Sequence, residues 1–129
     1  MIWLDDILHV YVDGSGQPKS QYGYYIEELN KPRLFKKENI TNNQAEYLAI
    51  IEALNDPDIQ NAKNVIIYSD SKNTVMQLNH EYAINNNILR ELAMKSWELL
   101  TKYNNLKFEW IDRKKNKAGK ILGSWVLTF

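Results

Sequence analysis

The run Val65-Ile66-Ile67-Tyr68 constrains this chain more than any other segment. Four apolar residues in succession have no polar face to turn to water. A strand made from them has to be covered on both sides. Helical patterns flank it in sequence, at residues 43–55 and 72–79. A covered strand between helices is the core of an α/β sheet built with crossover connections.

The rest of the chain fills in around that strand. Residues 7–13 are aliphatic and β-branched and stop at Gly14-Ser15-Gly16, as a strand does. Residues 21–27 form a second strand, and Gly16-Gln17-Pro18-Lys19 makes the turn of a hairpin. Residues 34–37 follow Lys31-Pro32 as a short third strand. In the helix at 43–55, Ala45, Leu48, Ala49, Ile50 and Ala53 make the apolar stripe, and Asp56-Pro57 ends it. Residues 88–103 form a longer helix. Residues 106–111 alternate, with Leu106, Phe108 and Trp110 on one face and Lys107 and Glu109 on the other. The order is β-β-β-α-β-α-α-β. It predicts a five-stranded mixed sheet, an antiparallel meander plus parallel strands, with helices on its faces. The apolar stretch at 123–129 is expected to fold back onto the body or to meet another subunit.

At 129 residues the chain suits one domain spanning 1–129. Cysteine is absent, so disulfides and thiolate metal sites are excluded. No apolar run approaches the ~20 residues of a membrane span. Asp5 and Asp6 stand where a signal peptide needs bases, so cytoplasmic residence is the expectation. The formal net charge is zero, so a polyanionic partner would be held by a local patch or by metals. A monomer is favoured.

Three carboxylates stand at element ends. Asp13 closes the first strand before a glycine-rich turn, where small residues let a bulky polyanion reach the backbone. A turn-forming aspartate reads equally well there. Glu46 lies in line with Ala49, Ile50 and Ala53, and an inward charge is costly unless paired or metal-bound. A capping box with Asn43 as N-cap and Glu46 three residues on also accounts for it. Asp70 stands at the carboxyl end of the covered strand, the edge where α/β sheets bind ligands. Asp70 or Ser71 capping the next helix is the alternative. If the three converge, their mutual repulsion calls for cations between them.

These pieces, taken in order, resemble the type 1 ribonuclease H family. The matching residues are Val12-Asp13-Gly14-Ser15, Thr41-Asn42-Asn43-Gln44-Ala45-Glu46, Ser69-Asp70-Ser71 and Trp110-Ile111-Asp112-Arg113-Lys114-Lys115-Asn116. The resemblance covers nearly the whole chain. It implies metal-dependent hydrolysis of the RNA strand of an RNA–DNA hybrid, leaving 5′-phosphate and 3′-hydroxyl ends. Two divalent ions, Mg2+ or Mn2+, would lie among Asp13, Glu46 and Asp70, with Asp13 bridging them. Substrate contacts would fall to Gly14, Ser15, Asn42, Asn43, Ser71 and Asn116. The two asparagines match amides that face the minor groove, where 2′-hydroxyls mark RNA. Helix capping is a second role for them.

The pattern breaks in one place. The family carries a fourth acid a few residues past the asparagine matched by Asn116, and this chain has Gly119 and Lys120 there. Asp112 is the nearest acid but does not match in position. Neither His9 nor His80 matches the family's loop histidine. Its basic, tryptophan-containing handle has no counterpart in the nearly neutral stretch 79–87. Arg113, Lys114, Lys115, Lys117 and Lys120 form the densest basic run, either a phosphate-binding patch or a solvated surface. The missing acid motivates a second reading, a catalytically lapsed domain of this fold that binds hybrid or protein. A third is another nuclease of the superfamily, such as a junction resolvase.

Overall fold

The computed structural model describes residues 7–127, and within the last helix it leaves the side chains of 122 and 124–127 undescribed. Five strands form one sheet. They are β1 (Ile7–Ser15), β2 (Gln21–Ile26), β3 (Lys31–Lys36), β4 (Asn64–Ser69) and β5 (Asn105–Trp110). The spatial order is β3-β2-β1-β4-β5. The first three strands pair antiparallel, and β4 pairs parallel with both β1 and β5. Five α-helices connect and cover them: α1 (Asn42–Leu54), α2 (Pro57–Gln60), α3 (Lys72–Leu78), α4 (Asn87–Leu100) and α5 (Lys117–Leu127). A 3-10 turn, Arg113–Lys115, precedes α5.

The expected architecture is therefore present, with β4 interior as its apolar run requires. Val65, Ile66 and Ile67 are all buried. Val10 and Val12 of β1 face the same side as Val65 and Ile67, and α1 packs there with α4 behind it. Ala45, Ala49 and Ala53 are fully buried, and their small side chains let α1 lie close to the sheet. α5 crosses the opposite face of β1, β2 and β3, and its first residue Lys117 sits over the Tyr11 ring.

Several boundaries differ from the sequence reading. β3 begins at Lys31 and takes in Pro32. A proline without an N–H is tolerated because β3 is an edge strand. α4 ends at Leu100, three residues early. α2 and α5 were not expected as helices. Residues 123–127 of the stretch expected to fold back belong to α5. The side chains of Trp125, Val126 and Leu127, and residues 128–129 altogether, lie outside the described residues.

Candidate active site

β1 and β4 run parallel in the register Tyr11↔Tyr68. Asp13 and Asp70 each lie two residues further on, so both leave the sheet at the same edge and face. α1 arrives at that edge through backbone contact. A Cβ on Gly14 would stand 2.5 Å from the carbonyl carbon of Ala45, and one on Gly16 would stand 2.6 Å from the amide nitrogen of Asn42. Only glycine permits this approach, and it brings Glu46 against the end of β1.

None of the three acids serves as a helix cap, although Ser71 takes the capping role offered to it or Asp70. The N-cap of α1 is Thr41, in a capping box with Gln44, not Asn43 with Glu46. Ser71 caps α3, not Asp70. Asp13 lies within β1, opposite Gly23, and not in a turn. The three acids are left without structural duties of the expected kind. Carboxylate oxygens of Asp13, Glu46 and Asp70 lie within 4.8 Å of one another.

The surroundings of Glu46 and Asp13 are unfavourable to ionisation. Glu46 is only 6% exposed and receives hydrogen bonds from the Gly14 N–H and the Ser69 hydroxyl, each 3.1 Å. Burial, then the charges of Asp13 and Asp70, push its pKa well above the usual carboxylate range. Burial, then the charge of Asp70, push Asp13 up to about 6, against opposition from the Gly14 N–H, Glu46 and Arg113. Bound dications would reverse this penalty by favouring the ionised forms. The donor set, three hard carboxylate oxygens, suits Mg2+ or Mn2+.

Asn116 ties the site together. It is fully buried, and its amide donates to the Val12 carbonyl at 2.8 Å and to Asp70 Oδ2 at 3.0 Å. Its own oxygen accepts from the Ala118 N–H at 3.1 Å, which starts α5. A cavity of about 380 Å³ opens outward, lined by Asp13, Gly14, Ser15, Asp70, Arg113, Lys114, Gly119 and Lys120.

The expected residues divide accordingly. Asp13, Glu46, Asp70, Gly14, Ser15 and Asn116 come together. Asn42 and Asn43 are exposed at the start of α1, and Asn42 Oδ1 accepts from the Gly16 N–H at 2.6 Å. Ser71 holds α3 and does not line the cavity. Asp112 is exposed and belongs to no acid cluster among the described residues. His9 pairs with Glu28 and stacks near Tyr68, while His80 stacks on Trp97. Neither histidine lines the cavity. Ser69 and Gly119 were missed. Ser69 follows Val65 and Ile67 on the core face, so a hydroxyl there signals a buried polar partner. Gly119 sits where an added Cβ would stand 3.3 Å from Asp13 Oδ2.

A family model described as reverse transcriptase-like matches residues 32–126. The chain belongs to the ribonuclease H-like family. It is 30% identical over 128 residues to the Enterococcus faecalis protein named "Putative hydrolase EbsB", covering 94% of each chain. Its fold matches solved ribonuclease H structures. LC11 RNase H1, solved with an RNA/DNA hybrid, is 27% identical with a TM-score of 0.79 over 89% of this chain and 92% of that one. RNase H1 from Halobacterium salinarum is 24% identical with a TM-score of 0.78, covering 90% and 93%. The N-terminal RNase H domain from Mycobacterium tuberculosis, at 22% identity, has a TM-score of 0.77, covering 90% and 95%. The sheet, its helices and their order are thus those of ribonuclease H-type nucleases. Among the described residues, no helix of this ribonuclease H-like chain is long and apolar enough to cross a membrane.

Proposed function

We propose that this protein is a metal-dependent endoribonuclease that hydrolyses the RNA strand of RNA–DNA hybrids. One observation carries the reading. Three carboxylates from three separate elements converge within 4.8 Å, and the most buried of them is held among like charges. A fold has little reason to keep such an arrangement without cations to fill it.

Asp13, Glu46 and Asp70 would hold Mg2+ or Mn2+, two in the arrangement the family resemblance implies, with Asp13 as the shared ligand. The bound ions would supply an activated water and neutralise charge on the leaving 3′ oxygen. The chain's own residues do the positioning. The Gly14 N–H and the Ser69 hydroxyl fix the two oxygens of Glu46. Asn116 fixes the orientation of Asp70. Gly14 and Ser15 leave room for a phosphate beside Asp13. Asn42 and Asn43, exposed at the start of α1, would meet the minor groove and its 2′-hydroxyls. With no basic handle between α3 and α4, hybrid affinity would be modest. The protein would act as a cytoplasmic monomer.

The test is cleavage of an end-labelled hybrid across Mg2+ and Mn2+ concentrations, beside DNA duplex, single strands and a four-way junction. RNA fragments with 3′-hydroxyl ends are expected from the hybrid alone. A protein inert on the hybrid in both metals would sink the reading. Hybrid binding without cleavage would favour a lapsed nuclease, which Gly119 and Lys120 in place of an acid keep in view.

A further inference from the structure

An exposed aromatic ring is tied to the edge where the three acids meet. Trp110 ends β5 and pairs in register with Ser69. Its indole N–H donates to the Asp70 carbonyl at 3.2 Å. Strand alternation puts Trp110 on the same face as Phe108, which is buried. Trp110 stands one step beyond that core and is 45% exposed. Leu29, Tyr82, Ile88 and Met94 are comparably exposed, but they lie in the β2–β3 turn, just before α4 or on α4.

A cation accompanies the ring. Lys72 opens α3, two residues past Asp70, and its ammonium lies 5.6 Å from the ring centroid, within cation–π range. A lone exposed indole is ordinary on a protein surface. This one differs in two ways. Its hydrogen bond to Asp70 orients the ring, so little freedom is lost when a partner packs on it. Its neighbour is positive, which favours an anionic partner. A nucleic-acid strand offers both parts, a sugar with an apolar face and a phosphate on either side of it. In a duplex the bases stack on one another, and the backbone is what meets a surface of this kind.

We propose that Trp110 contacts the substrate: its indole packs against a backbone sugar of the hybrid beside the cleaved linkage, and Lys72 pairs with the adjoining phosphate. This contact rests on the nuclease reading and extends the bound strand from the three acids to the end of β5.

Fluorescence anisotropy of an end-labelled hybrid, with divalent ions chelated so that nothing is cut, tests the contact in the whole protein. Trp110→Ala should weaken binding about tenfold, while Trp110→Phe, which keeps a ring but not the N–H, should stay within about twofold of wild type. Leu29→Ala, at the opposite end of the sheet, should change nothing. Lys72→Ala should lower the slope of log affinity against log salt by about one. Calorimetric titration with Mn2+ should give wild-type affinity in both Trp110 variants. Equal losses of hybrid binding in the Phe and Ala variants, with Mn2+ affinity lowered in both, would make Trp110 a prop for Asp70 and overturn the proposal. So would Trp110→Ala binding like wild type, or a wild type that does not hold the hybrid at low salt. The two ideas fail separately. Hybrid held through Trp110 but left uncut in Mg2+ and Mn2+ sinks the nuclease reading alone. Normal cleavage with binding indifferent to Trp110→Ala sinks this one alone.

Discussion

Glu46 and Asp56 are both 6% exposed, yet their surroundings treat charge in opposite ways. Asp56 accepts the Tyr24 hydroxyl at 2.6 Å and the Asp58 N–H at 2.8 Å, and Lys31 Nζ lies 3.3 Å away. Burial works against its ionisation, but these donors outweigh burial and hold its pKa below the usual value. Glu46 has two neutral donors and two anionic neighbours, and its pKa is raised. Asp56 is a finished structural carboxylate. It caps α2 and anchors β2 and β3 to the end of α1. Glu46 belongs to the centre proposed to hold cations. Depth alone does not separate a structural acid from a functional one; the sign of its neighbours does.

The largest effect that would break this comparison is on chemistry. Asp13→Asn should lower hybrid cleavage about a thousandfold or more, measured as single-turnover rate, because one of the proposed metal ligands loses its charge. Asp56→Ala should leave divalent-ion binding untouched yet cost about 3 kcal/mol of stability in denaturant unfolding. It strips the buried Tyr24 hydroxyl of its partner and removes a cap, while Lys31 keeps Asp58 at 2.7 Å. A cleavage defect in that variant larger than its unfolding explains would erase the distinction.

Next in size is a dependence on pH. A carboxyl raised from 3.8 to about 6 binds its proton more tightly in the native state. Its contribution to stability is complete below pH 3.8 and is lost as pH rises through 6. Metal-free wild type should therefore lose about 2 kcal/mol relative to Asp13→Asn between pH 4 and pH 7. Excess Mg2+ should shrink that loss. Parallel stability curves for the two proteins would show that Asp13 is not strained by charge. The smallest effect sharpens the structural half. Tyr24→Phe should cost about 1 kcal/mol, with Asp56 still held by Lys31 and the Asp58 N–H.

Much of this was legible in the sequence because the relevant signals are local. The apolar run of β4 required an interior strand, and Asp70 stands at its carboxyl end; Asp13 was expected to close β1, which instead runs on to Ser15. Parallel neighbours necessarily deliver their carboxyl ends to one edge. Glu46 was harder. Its spacing from Asn43 imitates a capping box, and only the observed start of α1 shows that Thr41 and Gln44 fill those roles. α5 escaped notice because Gly119 and Gly123 depress helix propensity within an otherwise apolar stretch. Its stability comes from lying on the sheet, a tertiary effect that no local pattern reports. α2 was hidden for a related reason. Pro57 reads as a terminator of α1, yet it occupies the first turn of a new four-residue helix. The basic residues that line the cavity were visible as a run of cations. What joins that run to the sheet edge is Asn116, through a contact with Val12 across 104 residues of chain.

The glycine contacts between β1 and α1 have a consequence for inheritance. Main chain meets main chain there, so the separation of Asp13 from Glu46 does not depend on which aliphatic side chains fill the interior. Substitutions among leucine, isoleucine and valine can accumulate without moving either acid. A lineage can then drift as far as the 22–27% identity that separates this chain from solved ribonuclease H structures without moving either acid.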